Sequence, residues 1–99
     1  MKIKYALRAL REIDQTARWW YEHRPDARSL FEQELAAAIR QIRTAPRLGK
    51  VYRVVRGREQ RRVLMPKTAQ HVYYRVAGPE LILILSVWDA RRRHGPRLR

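Results

Sequence analysis

The period of the apolar positions changes along the chain, and each change marks a new element. Ile3 and Tyr5 alternate with Lys2 and Lys4, as in a short strand with one apolar face. From Leu7 to His23 the period becomes helical: Leu10, Ile13, Ala17 and Trp20 recur at spacings of three, four and three. Pro25 stops that helix, because proline disfavours helical backbone at the residue before it. Trp19 and Tyr21 flank the stripe, either half exposed and able to anchor a partner or, as helix aromatics more often are, part of the core. Asp26 is the expected N-cap of a second helix, with an oxygen free to accept the first backbone N–H groups. Ala27, Phe31, Leu35, Ala38 and Ile42 then follow at spacings of four, four, three and four, and Pro46 and Gly49 end the run. The small residues Ala36 to Ala38 permit close helix-to-helix approach, so the two helices are expected to form an antiparallel hairpin with a structural role.

Beyond Gly49 the period is that of strands. Val51 to Val55 leads to a turn at Gly57; Arg62 to Met65 follows, with Pro66 ending its ladder. After a connection at Lys67 to Ala69, Val72, Tyr74 and Val76 alternate with His71, Tyr73 and Arg75. Ala77 to Glu80 forms a four-residue hairpin turn. Leu81 to Trp88 is continuous apolar sequence, which at this length implies a strand covered on both faces and central in its sheet. This order predicts an α+β fold: an N-terminal strand and a helical hairpin packed on one face of a mainly antiparallel three- to four-stranded sheet. One domain is expected over residues 1–99, with 91–99 as a basic tail.

Composition narrows the class. At 45% hydrophobic and 32% charged, the chain is a folded domain with a single core. The absence of cysteine excludes disulfides and thiolate metal sites and fits a reducing cytosol. Met1 to Tyr5 lacks the apolar core of a signal peptide, and Leu81 to Leu85 is too short to span a bilayer, so a cytoplasmic protein is expected. The net charge is +14, and it is uneven: residues 1–49 carry ten basic and six acidic side chains, residues 50–99 thirteen and three. Such a field favours a polyanionic partner, whether nucleic acid or an acidic protein segment.

Candidate chemistry lies where the alternation turns away from the helices. If Val72, Tyr74 and Val76 face them, His71, Tyr73 and Arg75 do not. On the neighbouring strand Val63 and Met65 join the core, leaving Arg62 and Leu64 on the same open face. A histidine, a tyrosine and two arginines suit metal-free RNA cleavage, in which a base takes the 2′-OH proton and cations neutralise the phosphorane. They suit phosphate or carboxylate binding equally, and each also fits a solvated strand face. His94, after the last strand, either swings over that face as an acid or, the more common case, belongs to a frayed tail. Arg91 to Arg93 form a basic cluster whatever their partner, and His23 sits at a helix end where an imidazolium favours the dipole. There is no Gly-rich phosphate loop, no HExxH, no carboxylate pair and no nucleophile elbow, so no metal or nucleotide cofactor is expected.

The order of elements, together with ArgArgValLeuMetPro (61–66), HisValTyrTyrArgVal (71–76) and IleLeuSerValTrpAspAlaArgArg (84–92), resembles the RelE/ParE superfamily of toxins from type II toxin–antitoxin modules. The resemblance implies a small basic toxin held in check by an antitoxin encoded beside it, which also carries the complex to operator DNA. Two activities are implied. RelE-like members cleave mRNA on the ribosome, and here Arg62, His71, Arg75 and His94 would be the catalytic set. ParE-like members poison DNA gyrase and need no active site; here Arg61, Tyr73, Trp88, Arg91, Arg92 and Arg93 would bind target or antitoxin. Leu64 stands where RelE carries a second lysine, and the tail offers His94 but no tyrosine. Losing a phosphate-neutralising cation costs on the order of 10²–10³ in rate, so the resemblance is nearer to ParE, with a ribosome-dependent nuclease and a non-catalytic nucleic-acid-binding module as alternatives.

Overall fold

The computed structural model describes residues 1–98. Its elements are β1 (Lys2–Tyr5), α1 (Leu7–His23), α2 (Leu30–Thr44), β2 (Lys50–Val55), β3 (Arg58–Met65), β4 (Gln70–Gly78) and β5 (Leu81–Asp89). They build an α+β domain with one sheet in the order β1-β5-β4-β3-β2. The sheet has five strands where three or four are expected. The extra partner is β1, which lies parallel to β5 with Ile3 opposite Ile82. The apolar run of β5 thereby gains a neighbour on each edge, while β2, β3, β4 and β5 pair antiparallel in sequence.

The helices cover one face. Ala9 and Trp20 of α1 and Phe31, Leu35, Ala38, Ile39 and Ile42 of α2 bury against Met65, Val72, Tyr74, Ile82, Ile84 and Val87. Fully burying a large apolar side chain contributes about 1.5–3 kcal/mol, so this cluster holds most of the fold's driving force. Two expected members lie outside it. Leu10 is exposed, and the inward stripe runs instead through Ala9, Ile13, Ala17 and Trp20. Ala6 N–H donates to the Ile84 carbonyl at 2.9 Å and holds the start of α1 so close to β5 that a methyl group is what fits there. Val76 is also exposed, because that end of β4 runs past the helical layer toward Met1 and Pro46.

The corner between the helices differs from expectation. Arg24 and Ala27 carbonyls accept from the N–H groups of Ala27 and Leu30, so the chain turns twice before α2 begins. The N-cap is therefore Ser29, not Asp26, and it makes no side-chain cap bond. Its hydroxyl instead accepts from Gln33 Nε2 at 3.1 Å.

Two helix carboxylates fasten the layers. Glu34 of α2 accepts Lys67 N–H at 2.8 Å, Thr68 N–H at 2.9 Å and Thr68 Oγ1–H at 2.6 Å, closing the β3–β4 turn. Glu12 of α1 accepts Ser86 Oγ–H at 2.8 Å and Val87 N–H at 3.2 Å. It meets β5 next to a bulge, where Tyr73 pairs with Ser86, Tyr74 with Ile84, and Leu85 is left over. At the other end of the sheet, the buried Tyr74 hydroxyl accepts from Gly49 N–H at 2.9 Å and donates to the Pro46 carbonyl at 2.8 Å. A Cβ on Gly49 would come within 2.8 Å of both the Arg62 carbonyl and that hydroxyl, which is why glycine stands there.

The β2–β3 hairpin closes through Arg56 and Gly57, both at positive φ (53° and 75°), which matches a type I′ turn. Arginine is a poor residue for the first position, since the left-handed region costs a residue with a Cβ about 1–2 kcal/mol. Arg56→Asn is expected to stabilise the protein by about 0.5–1 kcal/mol, read as a higher urea midpoint with unchanged slope.

Candidate functional site

The alternation of β4 puts His71, Tyr73 and Arg75 on the face away from the helices, as expected. Pairing of Arg62 with Tyr73 and of Leu64 with His71 adds β3 to the same surface. That surface is not bare. A second apolar cluster forms on it from Tyr73, Leu85 and Leu98, with Tyr52, Leu83 and Trp88 packed around them. Its lid is the end of the chain itself, residues 94–98, here called the strap. Trp88 Nε1–H donates to the His94 carbonyl at 2.9 Å, Tyr52 Oη–H to the Pro96 carbonyl at 3.4 Å, and Arg8 Nη1–H to the Arg97 carbonyl at 2.7 Å. Pro96 and Leu98 are buried, and Gly95 rides so close over the Tyr52 hydroxyl that a side chain there would collide with it. Tyr73, expected on an open surface, is only 1% exposed.

Beside the strap the polar groups form a ring-and-guanidinium cluster. Arg62 Nη1 donates to the Tyr73 hydroxyl at 3.4 Å, and its guanidinium lies 5.4 Å from the Tyr52 ring centroid. The Tyr52 and Tyr73 rings meet edge to face at 4.8 Å, and His71 approaches Tyr73 edge to face at 5.8 Å. His71 is held below its ordinary pKa, first by desolvation and then by the nearby Arg62 charge. Arg75 lies farther along the face, opposite Leu83 on β5. His94 is tied to this face through its backbone oxygen. Among the described residues no hydrogen bond or ring contact joins its imidazole to His71. Leu64 is 50% exposed and supplies no cation.

The His71 shift fixes a pH dependence. Its folded pKa lies below the unfolded value of about 6.5, so over that interval the unfolded chain binds more protons and folding weakens as pH falls. Urea titrations between about pH 8 and about pH 5 should show the wild type losing more stability toward acid than His71→Gln. Parallel curves for the two would remove His71 from the acid limb.

The other expected binding residues separate into two places. Arg61 pairs with Tyr74 and so lies on the opposite face from Arg62. Its guanidinium donates to the carbonyls of Gly49 at 2.8 Å and Arg47 at 3.3 Å and pairs with Glu59 at 3.3 Å, which gives it work in holding the loop before β2. Trp88 and the arginine cluster lie at the end of β5. Arg91 grips Asp89 through Nε and Nη2 at 3.0 and 2.9 Å, and that pairing holds the Asp89 carboxyl below its usual range. Arg92 stacks on Trp88 at 4.2 Å, and Arg93 is exposed. Around Trp88 opens a cleft of about 620 Å³, walled by the last turns of α1 and the β3–β4 turn.

Neither the strap nor the two carboxylates is apparent from periodicity. The signal for the strap is a single one, Leu98 standing as the last apolar residue of an otherwise basic tail. Among the described residues no three His, Cys, Asp or Glu side chains gather in a way that would hold a metal ion. No helix is long and apolar enough to cross a membrane.

No curated protein matches the sequence. A family model does, the one described as "ParE toxin of type II toxin-antitoxin system, parDE", and it aligns with residues 3–94. That span runs from Ile3 in β1 through the arginine cluster, and it contains β2 to β5 and both helices whole. The chain therefore belongs to the ParE toxin family of type II toxin–antitoxin systems.

Proposed function

We propose that this ParE-family toxin arrests growth by poisoning DNA gyrase through protein–protein contact, and that its cognate antitoxin neutralises it. The observation that carries the reading is the partial covering of the second sheet face by the strap. A ribonuclease needs an accessible surface on which a base, an acid and several cations converge around one phosphate. Here Tyr73 is sealed at 1% exposure, Leu64 occupies the surface without charge, and the strap lies over the cluster. The cations at the end of β5 are more open: Arg92 and Arg93 are exposed, whereas Arg62 and Arg75 on the sheet face are half-buried. Basic residues displayed around an aromatic suit recognition of an acidic protein surface, with arginine and tryptophan as anchors. Operator DNA would then be reached only through the antitoxin.

The test is a supercoiling assay with purified gyrase. The toxin should inhibit supercoiling and accumulate cleaved DNA covalently held by the enzyme, and added antitoxin should abolish both effects. Unchanged supercoiling with no cleaved complex would overturn the reading.

One observation favours a ribosome-dependent nuclease as the second reading: Arg62, Tyr73 and His71 do adjoin one another, and His71 has the lowered pKa of a group that is neutral near physiological pH. That reading expects codon-positioned cuts in toe-printing with ribosomes, lost in His71→Ala while the fold survives. A cutting pattern indifferent to His71→Ala would exclude this residue as the base.

A further inference from the structure

We infer that the cleft between the C-terminal half of α1 and the end of β5 is a binding site for single-stranded nucleic acid, read by base stacking and phosphate contact. The volume of about 620 Å³ lies within the roughly 300–1,000 Å³ usual for ligand sites, room for a short run of bases. Its walls carry the two components that sequence-tolerant strand binding requires, aromatic rings and cations set among them.

The ring component is Trp19 and Trp88, with the buried Trp20 behind Trp19 as a brace. Trp19 is 48% exposed, an unusual position for an indole, yet it is fixed in place. His23 stacks on one side at 4.9 Å with an interplanar angle of 12°, and Trp20 meets it edge on at 5.7 Å. The His23 ring is in turn held by a 3.0 Å contact from Nδ1 to the Trp19 carbonyl. An indole braced in this way is a stacking platform that loses little freedom when a base arrives.

The cation component is Arg24, Lys67 and Arg92. Arg24 lies 5.0 Å from the Trp20 centroid and Arg92 4.2 Å from that of Trp88. Among the described residues neither is in a salt bridge, and nor is Lys67; the carboxylates here, Glu12 and Asp89, are engaged by Arg8 and Arg91. A guanidinium lying on a ring keeps its N–H edge free for a phosphate oxygen.

An acidic peptide is the competing occupant, and the backbone argues against it. Peptides add affinity through main-chain hydrogen bonds at an open strand edge. In this cleft several main-chain donors are already used: Lys67 and Thr68 N–H bond to Glu34, Val87 N–H to Glu12, Ala90 N–H to the Ala69 carbonyl, and Arg91 N–H to Asp89. Side-chain rings and charges are what the site has left to offer. The cleft shares Trp88 and Arg92 with the β5-end surface proposed above for the protein target, so a bound strand and that target would compete for them.

The experiment uses the full chain with labelled oligothymidylate and oligouridylate, following anisotropy and intrinsic tryptophan emission. Binding should quench the emission and weaken as salt rises, since phosphate contact releases counterions. Trp19→Ala should weaken binding at least about fivefold, as for the loss of one stacked base, and Trp19→Phe should restore most of it. Arg92→Ala should weaken binding by a similar factor without depending on how Trp19→Ala folds. Arg56→Ala removes the same charge at the β2–β3 turn and should change affinity less than about twofold, the loss of one remote charge from the general field. Preference for the thymidine or the uridine strand decides whether DNA or RNA is the ligand. The inference falls if Arg56→Ala weakens binding as much as Arg92→Ala, if duplex DNA or polyglutamate competes as well as the single strand, or if no quenching occurs.

Discussion

Glu34→Ala is expected to destabilise the protein by about 3 kcal/mol, out of a total of roughly 5–15 kcal/mol for a domain of this kind. The carboxylate takes three hydrogen bonds from the β3–β4 turn, two from backbone N–H groups and one from the Thr68 hydroxyl. Hydrogen bonds to a charged group contribute about 1.5–3 kcal/mol each, and partial exposure at Lys67 discounts the sum. The turn also needs holding. Ala69 sits at φ 57°, a left-handed backbone that alanine does not adopt freely, and its carbonyl accepts Ala90 N–H at 2.8 Å from the end of β5. Glu34 thus ties α2 to a strained turn, and the turn ties β5 to β3 and β4. Thr68 is 3% exposed, so removing the carboxylate leaves its hydroxyl and N–H buried without a partner. Thermal unfolding should fall by roughly 10–20 °C. The exposed neighbour Glu32 provides the comparison, and Glu32→Ala should remain within about 0.5 kcal/mol. Equal losses for the two would show that the turn does not depend on its carboxylate.

This anchor also marks the boundary of what periodicity can reveal. The span of α1, Leu7–His23, follows from a helical stripe bounded by Pro25, and β5 follows from an apolar run too short for a helix. Both are local properties. Ala9 and Leu10 fit the same stripe, however, and choosing between them requires knowing that Ala6 is bonded to Ile84, far along the chain. Glu12 and Glu34 read as ordinary solvent-facing helix residues, because their partners stand 74 and 34 positions away. The side from which β1 joins the sheet is likewise a long-range fact, and it is what turned a three- or four-stranded expectation into five. At the site, the strand alternation correctly put His71, Tyr73 and Arg75 on one face. It said nothing about what lies over that face, since a strap without regular structure has no period to detect.

The strap yields the second large effect, and it bears on function. Leu98→Asp should release residues 94–98 from the sheet while the domain stays folded. Leu98 is 7% exposed against Tyr73 and Leu85, so the change removes about 1.5–3 kcal/mol of apolar burial and sets an unpaired carboxylate against apolar rings. Against that loss the strap retains three backbone-acceptor bonds, of which one, from Tyr52, is long at 3.4 Å. Net contributions of about 0.5–1.5 kcal/mol per bond cannot hold five residues whose backbone ordering costs about 1–2 kcal/mol each. The main core on the helix face includes neither Leu98 nor Pro96, so the melting transition should persist at a modestly lower temperature. Hydroxyl-radical footprinting should find Tyr73 and Tyr52 reactive in the variant and Tyr73 protected in the wild type. Continued protection of Tyr73 would mean that β-sheet packing, and not the strap, is its cover. The same variant separates the two readings of the toxin. A nuclease working through His71 and Arg62 should gain from a face opened to RNA, whereas a gyrase poison working through the β5 end should be indifferent or weakened as Trp88 loses its bond to His94.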